Sequence, residues 1–510
     1  MSHRDELNRR RFLTLSALAA AGAPLGLAAC NNTSTSPPTP LPTQPPGPSG
    51  PALPAGQIVP DLRFGFSPTP PTFPGYDPAG DAKALFIAGT PSPATSPVPG
   101  TLATGSYNVN ERYVIKVPNN WNGKLAVVGT PSLRSEFASD FIWGDFLLAN
   151  GYAWAASNKA IPYNAIIETA PTSTDPTKSF PVCFNLANLE TLQITVKFGA
   201  LNAPGPVLIS TWNQDFIYLT QAAQKFLYTY FGKTPTRTYA VGTSNGGAQV
   251  RSLIESRPDL IDGGVDWEGV YWSPGTNLFT YIPQFLQNMP AYIQSNFTDP
   301  VSSAAIRAAG FAPDITQPGS ATHPSLWLEY YSNQTSFYMD LTLFAYSLLV
   351  DPTVSSNFGV PMATPNPINP VWLPGTINGS GMAIPANRAS YVPSGQAISN
   401  IQTWQHTGKI GKPLITVAGV SDVLVAVTPN ATGYLNAVRA AGKSSQYWQY
   451  LVQGGTHLDT FTPFYPGMQP ILPFAWAAFN QMVSIVEKGF NPQGAGAQQT
   501  VSTPSQIVSM

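Results

Sequence analysis

Past about residue 57 the chain alternates short apolar, β-branched runs with longer amphipathic stretches, the pattern of a largely parallel sheet whose strands are joined by helices. The apolar runs predict strands at Ala84–Ala88, Arg112–Val117, Leu125–Val128, Ala153–Ser157, Thr238–Val241, Gly264–Trp267, Leu414–Val417 and Trp448–Val452. Helical periodicity predicts Phe216–Phe231 and Gly246–Arg257 on either side of the fifth strand, then Tyr434–Ala441 and Trp476–Lys488. No internal repeat breaks this order.

Between Gly269 and Lys412 the alternation stops. This stretch carries Tyr281, Phe285, Tyr292, Trp327, Tyr330, Tyr331, Phe337, Tyr338, Phe344 and Tyr346, with Pro and Gly interrupting it repeatedly. An insertion of about 140 residues is far too long for a plain loop. It reads as a mainly helical lid, residues 277–404, set into an α/β core formed by 57–276 and 405–510. Most of its aromatic rings are expected to pack the lid's own core, and the lid to select substrate without contributing chemistry.

Composition narrows the class. With 510 residues, 43% of them hydrophobic, the chain can bury a large core. A formal net charge of −1 with 10% charged residues leaves no basic footprint for nucleic acid and no basic face for an anionic membrane. The 53 Pro and 43 Gly point to long, rigid loops and a linker. Two cysteines are present, Cys30 and Cys183. With Cys30 assigned to the targeting motif below, Cys183 stands alone in the mature chain. That excludes an intramolecular disulfide and a cysteine-rich metal site, and Cys183 reads as a small buried hydrophobe. No cofactor or metal is expected.

The N-terminus reads as an address. Arg9-Arg10-Arg11-Phe12-Leu13 resembles the twin-arginine export signal, and the uncharged Ala/Gly/Leu-rich stretch to Ala29 is too short and too weakly apolar for a comfortable membrane span. It ends in Leu27-Ala28-Ala29-Cys30, which resembles the lipobox of bacterial lipoproteins, acylated on Cys and cleaved before it. The alternative is an uncleaved anchor. Residues 1–30 are thus read as signal and 31–56, dense in Pro, Ser and Thr, as a linker that builds no core. At ~3.1 Å per residue this linker would span on the order of 75 Å. The expected location is outside the cytoplasm, tethered to a membrane by lipid on Cys30.

Gly242-Thr243-Ser244-Asn245-Gly246-Gly247 lies between a predicted strand and a predicted helix. A tight strand-to-helix turn forces its central Ser into a strained backbone and tolerates only small neighbours, while the helix N-terminus places unpaired N–H groups beside it. Ser needs a base to become a nucleophile. After the signal the candidates are His323, His406 and His457, and His457 follows the last predicted strand, where a base is expected. The base needs a carboxylate to hold its tautomer. Asp422, in the loop after Leu414–Val417, fits that role. Asp266 and Glu268, ending the strand after the elbow, are the competitors, Trp267 and Glu268 being otherwise expected to line the pocket. The backbone N–H of Asn245 is the expected first oxyanion donor. The second falls in Gly129-Thr130-Pro131-Ser132, where Pro131 has no N–H, which leaves Thr130 or Ser132.

On these residues the chain resembles the α/β-hydrolase superfamily over about 112–488, in the order Ser244, Asp422, His457. Within it, Gly242 to Gly247 followed by Pro258-Asp259-Leu260-Ile261-Asp262-Gly263 is similar to tannases and feruloyl esterases. Ser244 to Gly247 followed by Leu260 to Gly263 is similar to 3-hydroxybutyrate oligomer hydrolases. Tannases and feruloyl esterases typically join the neighbours of Ser and His by a Cys pair, whereas here these are Thr243 and Leu458. The resemblance implies an α/β-hydrolase fold with a large lid and an ester hydrolase acting on hydroxyalkanoate oligomers or aromatic acid esters. The rivals are a serine exopeptidase of the same fold, which would need a carboxylate such as Glu268 for the substrate's amino terminus, and a non-catalytic, ligand-binding lipoprotein.

Overall fold

The computed structural model describes residues 53–63, 93–107, 112–132, 136–159, 166–168, 180–181, 194–196, 209–320, 323–331, 338–351, 371–372, 377–378, 381–382 and 389–509. The signal, Cys30, Cys183, the strand expected at Ala84–Ala88 and Phe337 lie outside them.

Ten strands form one sheet: β1 (Gln57–Val59), β2 (Gly100–Ser106), β3 (Arg112–Pro118), β4 (Lys124–Gly129), β5 (Ala153–Ser157), β6 (Arg237–Thr243), β7 (Gly263–Trp267), β8 (Leu414–Gly419), β9 (Tyr447–Val452) and β10 (Gln498–Val501). Their order is β1-β2-β3-β5-β4-β6-β7-β8-β9-β10. The β1–β2, β2–β3 and β3–β5 pairs are antiparallel, and every pairing from β5 to β10 is parallel. This is the mostly parallel, helix-flanked α/β-hydrolase sheet expected above.

The helices are α1 (Asp145–Ala149), α2 (Ile209–Phe231), α3 (Asn245–Ser256), α4 (Leu278–Gln294), α5 (Pro300–Ala308), α6 (Leu326–Tyr331), α7 (Tyr338–Val350), α8 (Gly395–Trp404), α9 (Gly433–Ala440), α10 (Leu472–Lys488) and α11 (Pro504–Ser509). Strand residues are buried on both faces, which is why the strands read as continuous apolar runs rather than alternations. Val114, Ala126, Tyr239, Val265 and Ile415 enter one core with Leu147 of α1 and Phe474, Phe479 and Met482 of α10. Their chain neighbours Ile115, Leu125, Val127, Ala240 and Leu414 enter the other with Phe216 and Phe226 of α2, Leu253 of α3 and Leu435 of α9.

In the ten-stranded sheet the seven expected strands begin and end within two residues of expectation. The other three of the ten were not expected. β2, Gly-Thr-Leu-Ala-Thr-Gly-Ser, is too rich in Gly and small residues to show a period, and β1 and β10 are short edge strands of three and four residues. α10 starts at Leu472, four residues before its expected start, because buried Asp459 accepts the N–H groups of Ile471 at 2.8 Å and Leu472 at 3.2 Å.

The region 277–404 is mainly helical among its described residues, holding α4 to α8. Asn277 opens it as the N-cap of α4, accepting from Phe279 N–H at 2.9 Å. Its rings do not form a separate core. Tyr281, Phe285, Trp327, Tyr330, Tyr331, Tyr338 and Tyr346 belong to the same buried cluster as the sheet and α10. Val371–Trp372 pairs antiparallel with Ile194–Val196, in a small sheet with Ile166–Glu168 and Phe180–Pro181. A second excursion, after β5, therefore meets the first. Among the described residues no helix is long and apolar enough to cross a membrane.

Candidate active site

The parallel register aligns the C-terminal ends of β4, β6, β7 and β8, pairing Gly129 with Gly242, Thr243 with Trp267 and Trp267 with Val417. Loops leaving these ends converge on one edge, where ligand sites of open α/β sheets form.

Ser244 sits between β6 and α3 at φ 58° and ψ −118°, a left-handed backbone that costs a side-chain-bearing residue about 1–3 kcal/mol. The strain is held by its surroundings. Its N–H donates to Trp267 C=O at 2.8 Å, and its C=O accepts from Ala248 at 3.1 Å and Val270 at 3.3 Å. The glycines of the motif are dictated by close approach. A Cβ on Gly246 would lie 2.0 Å from Gly129 O and 2.9 Å from Thr130 N. One on Gly242 would lie 2.2 Å from Gly246 O, and one on Gly247 2.5 Å from Asp266 Oδ1. No side chain fits at any of the three.

The base loop follows β9 and the acid loop follows β8. They touch at two glycines, since a Cβ on Gly419 would lie 2.4 Å from the Gly455 carbonyl and Ser421 N–H donates to Gly455 C=O at 2.9 Å. This contact sets His457 beside Asp422. His457 Nε2 lies 3.1 Å from Ser244 Oγ and its Nδ1 lies 2.9 Å from Asp422 Oδ2. The arrangement requires the tautomer with the proton on Nδ1, donated to Asp422, leaving the Nε2 lone pair for the Ser244 hydroxyl. Asp422 is itself oriented by Val425 N–H, which donates to Oδ1 at 2.7 Å. Ser244 is 6% exposed, Asp422 and His457 1% each, so the contacts are made almost out of water.

Glu268 does not merely line a pocket. It stands at φ 52° directly after β7, its Oε2 3.2 Å from His457 Nδ1 and its Oε1 accepting Gly419 N–H at 3.0 Å. Two carboxylates thus face one nitrogen. Burial, and then the charge of Asp422, push the Glu268 carboxyl up to about 8, even though His457 pulls it down. On His457 burial favours the neutral ring, but Asp422 and Glu268 together outweigh it and raise the imidazole. The ligand atoms of Glu268, Asp422 and His457 lie within 4.8 Å of one another, close enough to share a cation. A cation would compete with the Nδ1 proton for the same lone pairs, whereas the Nε2–Ser244 contact fits proton transfer.

The remaining expected residues fall as follows. Asp266 points to the other face of β7 and binds buried Arg251 Nε at 2.6 Å, Gly269 N–H at 2.6 Å and Thr416 Oγ1 at 2.8 Å. Trp267 is wholly buried in the core. His406 is buried against Ser252 Oγ at 3.1 Å and accepts Trp272 N–H on Nδ1 at 3.2 Å, and burial with nearby Arg251 pushes it down to about 3. His323 pairs with Glu329 at 2.7 Å and stacks on Phe464. Thr130 is fully buried, with Oγ1 donating to Ser157 C=O at 2.6 Å and its backbone nitrogen facing Gly246.

Three supports were not read from sequence. Buried Lys159, at φ 59°, donates to the carbonyls of Thr130 at 2.6 Å and of Ser132, itself at φ 47°. Trp143 Nε1 donates to Thr243 Oγ1 at 3.2 Å, beside the elbow Ser. Tyr330 of α6 lies 2.9 Å from Thr456 Oγ1 and accepts Leu458 N–H at 3.0 Å, beside the base. Thr243 and Leu458, the chain neighbours of Ser244 and His457, are thus each held by an aromatic donor or acceptor. No local signal marks these partners, because they lie about 100 or more residues away in the chain.

No family model matches the chain, and no curated protein matches it. Solved structures do align with it. Feruloyl esterase B from Aspergillus oryzae is 13% identical, with 87% of this chain and 88% of that one covered at a TM-score of 0.47. The tannin acyl hydrolase from Aspergillus niger is 11% identical, with 88% and 86% covered at 0.41. An acylaminoacyl peptidase from Pyrococcus horikoshii is 9% identical, with 79% of this chain and 43% of that one covered at 0.35. At such identities and TM-scores the chemistry has to be argued from the site itself.

Proposed function

We propose that this chain is a serine hydrolase that cleaves carboxylic esters through an acyl-enzyme. The observation that carries the proposal is the single line of contacts Ser244 Oγ to His457 Nε2 and Nδ1 to Asp422 Oδ2, with Ser244 on a strained turn at the head of α3. In the first step Ser244 Oγ attacks the ester carbonyl while Nε2 takes its proton, and Asp422 stabilises the imidazolium. The oxyanion forms against the N–H of Asn245 at the start of α3 and, as second donor, that of Thr130. The imidazolium returns its proton to the leaving alcohol. Water, activated by the same base, then releases the acid.

The proposed substrates are hydroxyalkanoate oligomers or aromatic acid esters. Glu268 argues against the exopeptidase reading, because its carboxyl is committed to His457 and Gly419 rather than aimed at a substrate amine. Parallel assays on a panel of nitrophenyl esters and an aminoacyl nitroanilide test this: ester turnover without anilide turnover is expected, and the reverse overturns it. We also propose export by the twin-arginine route and lipidation on Cys30, from the motifs at Arg9–Leu13 and Leu27–Cys30.

A further inference from the structure

We propose that Glu268 is a second acid for the base, so that His457 is held by a carboxylate pair in which Glu268 and Asp422 share Nδ1. The inference rests on the serine-hydrolase reading above and deepens it.

The geometry is built for this rather than incidental. Glu268 and Asp422 arrive from the ends of adjacent parallel strands, β7 and β8, and approach Nδ1 at 3.2 and 2.9 Å. Glu268 occupies a left-handed backbone position at φ 52°, a conformation that only a surrounding framework maintains in a residue with a side chain. Its own N–H is tied to Val417 C=O at 2.7 Å, and its second oxygen to Gly419 N–H, at the end of β8. The carboxyl is wholly buried, so its orientation is not shared with solvent. No function as a pocket wall needs that placement.

Proton bookkeeping gives the arrangement a consequence. The titratable groups that face Glu268 are Asp422 on the acid loop, His457 and Asp459 after β9, and Tyr330 on α6. Desolvation raises Asp459 and Tyr330 well above their usual ranges, and Asp459 turns its two oxygens to the backbone N–H groups of Ile471 and Leu472, away from Nδ1. The carboxylates that touch Nδ1 itself are those of Asp422 and Glu268. With one proton shared between Glu268 and His457, the forms neutral acid plus neutral imidazole, and carboxylate plus imidazolium, differ only in where that proton sits. Of these two only the first is a base toward Ser244, as is the form with no proton on either group, in which Glu268 is the second carboxylate on Nδ1. A second proton puts both groups in their protonated forms and stops the reaction. The acid side of the rate profile is therefore governed by two macroscopic steps belonging to the pair. Removing Asp422 takes away the second of the two causes that raise Glu268, after burial, and leaves the Glu268 carboxyl alone on Nδ1.

The test is a double-variant cycle of Glu268→Gln and Asp422→Asn, each read as kcat/KM against pH on a nitrophenyl ester. Asp422→Asn alone is expected to lose ~10- to 100-fold, and the double variant ~10⁴-fold, the loss typical when a triad's sole acid is removed. Glu268→Gln should collapse the acid limb from two steps to one. Should Glu268→Gln fail to fold, Asp422→Asn still decides, since a ~10⁴-fold loss in that variant alone overturns the proposal. An equal fall at every pH with both steps retained in Glu268→Gln makes it packing only and overturns it as well. A wild-type protein that turns over no ester defeats the serine-hydrolase reading instead, which is a separate outcome.

Discussion

Tyr330, on α6, accepts the backbone N–H of Leu458 at 3.0 Å, gripping the chain one residue past His457. Its own hydroxyl proton is then available to Thr456 Oγ1 at 2.9 Å, one residue before the base. The region 277–404 is expected to select substrate, and Tyr330 gives it a second role in holding the base loop on both sides of His457, while Glu329 beside it accepts from Tyr465 Oη at 3.0 Å. Tyr330→Phe leaves a buried N–H without its partner, a loss of about 1–3 kcal/mol. We expect kcat to fall about 10-fold for small and bulky nitrophenyl esters alike. A change confined to the bulky ester would return the lid to a purely selective role.

Asp266 and Arg251 form a wholly buried pair at 2.6 Å, with the guanidinium over the Tyr434 ring. Asp266→Asn strands that charge and should cost about 3–5 kcal/mol of stability. The folded fraction should keep near-normal kcat, because Asp266 faces away from His457. Thermal unfolding by circular dichroism paired with kcat measures both. A native Tm with kcat abolished would make Asp266 the acid.

Gly246→Ala places a methyl 2.0 Å from the Gly129 carbonyl, where backbone has to move. A loss on the order of 3 kcal/mol or more is expected, with the second oxyanion donor displaced. Gly275→Ala is the control, since nothing lies within 4 Å of the position a Cβ would take there. Equal Tm for the two variants contradicts the close-packed elbow.

The sheet and the line from Ser244 to Asp422 were legible because each rests on a local signal: an apolar run, a glycine turn, and a Ser, Asp or His directly after it. Gly242, Gly246 and Gly247 are in the sequence for clashes that the structure makes explicit. Glu268 was visible as an acid at a strand end, but not its aim at Nδ1, since that depends on the φ of one residue and the parallel register of β7 with β8. Tyr330, Trp143 and Lys159 were illegible for a related reason. Each acts across about 27 to 128 residues of chain, and an aromatic in a lid reads alike whether it packs or hydrogen-bonds.

Lipid on Cys30 would show in mass spectrometry of the N-terminal peptide from membrane-bound protein as a chain beginning at an acylated Cys30. Cys30→Ser should release the protein from membranes with its ester turnover unchanged. A soluble mature chain that begins elsewhere sinks this assignment.

That His457 makes Ser244 a nucleophile is read out by labelling with a fluorophosphonate followed by peptide mass spectrometry. One adduct is expected, on Ser244, none in Ser244→Ala, and labelling slowed by several orders of magnitude in His457→Ala, in keeping with the ~10⁴-fold scale of triad losses. A folded wild-type protein that takes no label, or takes it on another residue with Ser244 unmodified, would contradict it.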